Sequence, residues 1–174
     1  MRNLRLSLFA TACIVGAPAA ALAADPQVDR GKYLVTIAGC NDCHTPGALL
    51  GKPDLSRTLG GSDVGFGIPG LGTFVGQNLT PDKETGLGNW TAEQIVAAIT
   101  KGETPDGRKL FPVMPWPALA NLTADDAQAI VAYLKSLPPV KNKVPGPFGP
   151  NDVPSTFVSV VIPGGVYAKL PAPK

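Results

Sequence analysis

The sequence is poor in charge, in aromatic rings, in histidine and in methionine. Charged residues make up 16% and aromatics 6% of the 174 residues, and the formal net charge is +2. Neither a polybasic stripe nor an acidic tail is present, which argues against nucleic acid as a partner. Cysteine occurs only at Cys13, Cys40 and Cys43, too few for a disulfide-stapled fold. Histidine occurs once, at His44, so no site can use two imidazoles of this chain. The length suits one core and argues against two large domains. Only glycine and proline are plentiful, at 20 and 19 residues, and they cap the share of regular helix or strand.

Arg2 and Arg5 precede an apolar run from Leu6 to Val15, and Ala21-Leu22-Ala23 forms a small-x-small cleavage pattern. Residues 1–23 are therefore expected to be a secretory signal peptide. An uncleaved anchor ranks second, because Leu6 to Ala24 is uncharged and just long enough to span a bilayer but only weakly apolar. Lipidation at Cys13 ranks last, since Ala10 stands where such signals prefer leucine. Cleavage would leave 151 of the 174 residues, with 13 basic and 13 acidic side chains. That remainder is expected to be soluble and periplasmic, meeting a membrane only through a partner or an uncleaved signal.

Within it, Gly31, Leu34, Val35 and Ala38 recur at helical spacing, and Gly39 should stop that helix. Residues 46–89 show no sustained period and hold nine glycines between Gly47 and Gly76, which predicts a long structured loop region. Thr91 and Gln94 fit a capping box before the apolar stripe Ala92, Ile95, Val96 and Ile99, with Gly102 at the end. Residues 103–121 should be irregular, because Pro105, Pro112, Pro115 and Pro117 oppose helix. A third helix is expected from Thr123, with Asp125 and Asp126 favoured in its first turn and Pro138-Pro139 ending it. The last 37 residues contain nine prolines and read as an extended tail. Thr156 to Ile162 is its one candidate strand, or else extended chain lying flat on the domain. From Ala127 onward five lysines face one aspartate, a local excess of +4.

Cys40-Asn41-Asp42-Cys43-His44 carries the chemistry. Cys-x-x-Cys-His is the attachment signature of c-type haem. Two thiols three residues apart on a helical turn can bond the two vinyl groups of one porphyrin, while the adjacent imidazole reaches the iron from the same side. A structural zinc site would lack a fourth soft ligand. A thioredoxin-like pair would need a strand leading into the motif. A plain disulfide would leave His44 and the long loops without purpose.

Met114 is the one methionine outside the expected signal peptide, 70 residues after His44 in Pro112-Val113-Met114-Pro115-Trp116. It is the candidate sixth ligand, in the Met/His pairing of cytochromes c. The competing reading is a methionine that fills core space.

With Gly31-Lys32-Tyr33-Leu34, Cys40 to His44, Asn78 to Asp82 with Gly86 to Trp90, Pro112 to Pro117, and Ala132 to Leu137, the chain resembles a class I monohaem cytochrome c. More narrowly, it resembles the haem modules of cytochrome c subunits of bacterial alcohol and aldehyde dehydrogenases. The resemblance covers about residues 28–140. It implies an all-α cytochrome c fold of three to four helices around one covalently bound haem c, with long Gly/Pro-rich loops. Residues 24–140 would form that domain and residues 141–174 a proline-rich extension. It further implies that the first and last helices cross beside the haem, with Gly31 and Tyr33 meeting Tyr133.

Trp90, Asn78, Arg57 and Arg108 are candidate donors to the haem propionates, since buried carboxylates need partners. Any of them could instead be a loop residue in solvent. Tyr33 and Tyr133 read as packing residues, and Trp116 as a cover for the haem edge or a partner surface. The resemblance implies an electron carrier without catalytic residues, with a dehydrogenase as donor and a later cytochrome or oxidase as acceptor. The alternative is a haem enzyme or ligand sensor with an open or displaceable sixth position, though no second histidine is present to serve as acid or base.

Overall fold

The computed structural model describes residues 25–160 and 162–170; the expected signal peptide lies outside them. Helix α1 (Pro26–Ile37) starts at Asp25, whose carboxylate accepts the Gln27 N–H at 2.9 Å, and Pro26 occupies a position that needs no N–H. Gly39, at φ 68°, breaks the helix and opens the one-turn α2 (Cys40–His44). Two short 3-10 turns follow, Ala48–Leu50 and Leu55–Arg57.

Strands β1 (Val64–Ile68) and β2 (Gly72–Val75) form an antiparallel hairpin in which Phe66 faces Phe74. Helix α3 (Ala92–Lys101) has both hydrogen bonds of the Thr91–Gln94 capping box, and Gly102 closes it at φ 67°. The one-turn α4 (Trp116–Leu119) and α5 (Ala124–Ser136) come next, the latter capped by Thr123. Strand β3 (Phe157–Val160) returns parallel to β1, and the short α6 (Gly164–Tyr167) ends the described chain.

The core forms where α1 packs on α5. Leu34 and Val35 meet Ala129, Ile130, Val131 and Leu134, joined by Leu59 and by Ile95 of α3. Gly31 makes this approach possible: a Cβ there would run into the Ala129 carbonyl and stand 2.8 Å from the Tyr133 Cβ. Tyr33 is 54% exposed, with the Arg30 guanidinium 5.6 Å from its ring centroid. Arg30 also reaches Asp126 of α5 at 2.8 Å at the rim of the contact.

The chain is not all-α. A three-stranded sheet of order β2-β1-β3 occupies part of the region expected to be loop and part of the tail. Six helices are present among the described residues, of which α1, α3 and α5 match the three expected and α2, α4 and α6 are short. Glycine hid the hairpin. Val64, Phe66 and Ile68 alternate with Gly65 and Gly67, and at those glycines the side chains of Thr73, Val75 and Val158 fill the space a Cβ would take. Helix α4 forms despite two prolines because Pro117 lies in its first turn, where no backbone donor is lost.

The tail crosses the expected boundary after residue 140. Asn142 donates its amide to Gly60 O at 2.8 Å, Phe148 exchanges two backbone hydrogen bonds with Thr73, and β3 completes the sheet.

Candidate haem attachment site

Helix α2 puts Cys40, Cys43 and His44 at i, i+3 and i+4, the spacing that shares one helical face. Both thiols are free and half-buried, and burial pushes the pKa of each upward, with Asp42 adding to the effect. Beneath the turn lies Gly76. A Cβ there would enter the Cys43 carbonyl and stand 3.3 Å from His44 Nδ1, so only glycine lets the 76–78 segment run this close.

That approach orients the imidazole. His44 Nδ1 lies 2.7 Å from the Gln77 carbonyl, which can only accept, so Nδ1 carries the proton and Nε2 keeps its lone pair. Enclosure of the ring lowers its pKa and outweighs a smaller rise from the Gln77 bond, which favours the neutral imidazole. The His44 carbonyl in turn accepts the Gly61 N–H at 2.8 Å, and Thr45 Oγ1 accepts the Leu59 N–H at 2.9 Å. Leu59 is fully buried with φ 59°, an unusual conformation for leucine, secured by that bond and by its carbonyl accepting from Leu79.

Like Cys40, the half-buried Leu79, Leu87, Trp90, Val96 and Ile99 pack on the core while keeping part of their apolar surface open. Two free thiols, a neutral imidazole with one free nitrogen, and an apolar flank fit a covalently held porphyrin. Met114 is half-buried in the turn between Phe111 and Trp116.

The four candidate propionate donors have different surroundings. Trp90 is half-buried and packs on the core with the other side chains of that apolar flank. Asn78 is 1% exposed, and its amide is spent inside the protein. It donates to Val140 O at 2.7 Å and Thr85 Oγ1 at 3.1 Å and accepts from the Thr80 N–H and hydroxyl. Arg57 gives its Nε to Asp54 at 2.7 Å and faces a cavity of about 190 Å³ shared with Ser62, Asp63 and Asn142. Arg108 lies exposed on the 104–109 turn, 3.9 Å from Asp106.

Gln77 and Gly76 escaped sequence reasoning. A backbone carbonyl has no residue-type signature, and Gly76 was one of nine glycines in a row of loops. The lone histidine was the available clue, since an imidazole that is to offer one nitrogen as a ligand needs an acceptor for its second nitrogen.

The cytochrome c family profile matches residues 28–138. The cytochrome c subunit of a quinone-type alcohol dehydrogenase from Gluconobacter oxydans (strain 621H) is 38% identical over 133 residues, covering 75% of this chain and 26% of that one. The fructose dehydrogenase cytochrome subunit of Gluconobacter japonicus is 34% identical over 137 residues, with the same coverages of 75% and 26%. A diheme cytochrome c-type protein of Cereibacter sphaeroides is 28% identical over 139 residues, which make up 44% of its length. The chain thus spans about a quarter of the length of the two dehydrogenase subunits, at 26% each. With the thiols and imidazole of α2 arranged for attachment and the match running from α1 through α5, the chain belongs to the cytochrome c family and carries covalently bound haem c.

Proposed function

We propose that this protein is a periplasmic electron carrier in which His44 and Met114 are the axial ligands of one haem. Its donor is a dehydrogenase, and its acceptor is a further cytochrome or an oxidase. The observation that carries the reading is the His44 Nδ1–Gln77 carbonyl contact at 2.7 Å, which reserves Nε2 for the axial role. The haem supplies a one-electron ferrous/ferric couple.

Cys40 and Cys43 tether it, and the short α2 keeps both sulfurs and the imidazole on one face. The Gln77 carbonyl holds the ring plane and raises the basicity of Nε2. Met114 would occupy the opposite position, so that no substrate site remains at the metal and the chain transfers electrons without bond making. The apolar flank of Leu79, Trp90 and Val96 keeps water from the redox group, which favours its less charged state. Partner choice rests on local charge: the sequence from Ala127 onward carries a +4 excess that would favour an acidic partner.

The test is the optical spectrum of the oxidised holoprotein and of Met114→Ala. The wild type should show the weak far-red band of a sulfur-to-ferric-iron charge transfer, and Met114→Ala should lose it and have a lower reduction potential. A wild type that lacks the band and binds carbon monoxide readily when reduced would overturn the carrier assignment in favour of an open haem site.

A further inference from the structure

We infer that Trp116 and Phe111 are positioning residues that clamp the segment bearing Met114 and so set how firmly its thioether holds the sixth position. The inference rests on the axial role proposed for Met114. Residues 102–116 form a closed loop. At its base the Leu110 N–H donates to Gly102 O at 2.8 Å, and Glu103 pairs with Lys109 as an isolated antiparallel bridge. The hydroxyl of Thr104 donates to Arg108 O at 2.8 Å and braces the turn from inside.

Past Leu110 the chain reverses through two tight contacts, Met114 N–H to Phe111 O at 3.1 Å and Trp116 N–H to Met114 O at 2.7 Å. Pro112 and Pro115 restrict the backbone on both sides of the methionine. Trp116 then folds back onto the base of the loop. Its indole N–H donates to Leu110 O at 3.1 Å, and its ring lies so close to Gly102 that a Cβ there would stand 2.7 Å from Nε1. The Lys109 ammonium sits 4.6 Å from the ring centroid on the same indole. On the other side Phe111 stacks on Phe74 of β2, with centroids 4.6 Å apart and planes 11° from parallel. One ring three residues before Met114 and one two residues after it thus fix the segment to α3 and to the sheet.

How well a neutral thioether competes with an added ligand depends on its bond to the iron and on how firmly its segment resists opening. Weakening either ring contact raises the open population and the apparent affinity for that ligand in proportion. The experiment is titration of the ferric holoprotein with imidazole, followed through the far-red band and the Soret shift. Trp116→Phe keeps a ring but loses the bond to Leu110 O, and should tighten imidazole binding about fivefold. Phe111→Leu loses the stack and should tighten it roughly threefold to tenfold.

Thr91→Ala removes the cap at the far end of α3. It should lower the unfolding midpoint by a similar amount while leaving imidazole affinity unchanged. The inference is overturned if the two ring variants lower the midpoint without moving imidazole affinity, or if Thr91→Ala moves it equally. If Met114→Ala changes neither the band nor the affinity, the ligand assignment itself has failed, a result separate from failure of the clamp.

Discussion

Replacing Gly31 by alanine sets a local preference against a tertiary one. Gly31 lies inside α1, and in an isolated helix alanine there would be worth about 1 kcal/mol. In the folded protein the new Cβ would enter the Ala129 carbonyl and lie 2.6 Å from its carbon and 2.8 Å from the Tyr133 Cβ. The first obstacle is backbone and cannot rotate away, so α1 must withdraw from α5 by about 1 Å, a gap that forfeits a quarter to a half of each dispersion contact across it. Leu34, Val35, Ile130, Val131 and Leu134 all make such contacts.

The expected loss is about 3–5 kcal/mol, the scale of a large-to-small core substitution. After the helix gain, the net destabilisation is about 2–4 kcal/mol. Urea denaturation of the holoprotein, read by far-ultraviolet circular dichroism, should show a lower midpoint with unchanged slope, and the melting temperature should fall by about 4–16 °C. Lys32→Ala, one residue away on the exposed side, should stay within about 0.5 kcal/mol of wild type. A Gly31→Ala protein as stable as wild type, or more so, would refute the close helix approach.

Asn78→Ala should cost about 2–4 kcal/mol, because the Val140 carbonyl and the Thr80 hydroxyl lose their buried partner. A large change in reduction potential without loss of stability would instead identify Asn78 as a propionate contact. The Asp54 carboxyl, hydrogen-bonded by Ser56 and then by Arg57, is held down at about 2 from its ordinary 3.8. A depressed carboxyl stabilises the fold above its unfolded value and loses that contribution as pH falls through the folded one. Carbon-detected NMR should therefore place its midpoint near 2, and a midpoint near 4 would contradict the Ser56 and Arg57 contacts.

Elements dominated by local chemistry were legible in the sequence. The Thr91–Gln94 box, the helix start at Thr123, the stops at Gly39 and Gly102 and the helical stripes of α1, α3 and α5 each require only near neighbours along the chain. The attachment motif is local in the same sense, five residues on one turn. The sheet was not legible. Gly65 and Gly67 carry no strand preference of their own, and their use is to admit side chains from β2 and β3, one of which lies more than ninety residues away at Val158. Thr156 to Ile162 was visible as a possible strand from its β-branched residues, but its partner was not.

Sequence alone determined the attachment chemistry available to this protein: two thiols and the adjacent imidazole on one turn suit a covalently held haem c. Tertiary structure decided how those groups are aimed. The Gln77 carbonyl that selects the His44 tautomer, the absent Cβ at Gly76 that lets it approach, and the Phe74–Phe111 stack beside Met114 are contacts between segments more than thirty residues apart in the chain. Which side chains are available follows from residue type, whereas their orientation depends on backbone groups and close approaches that exist only once the chain has folded.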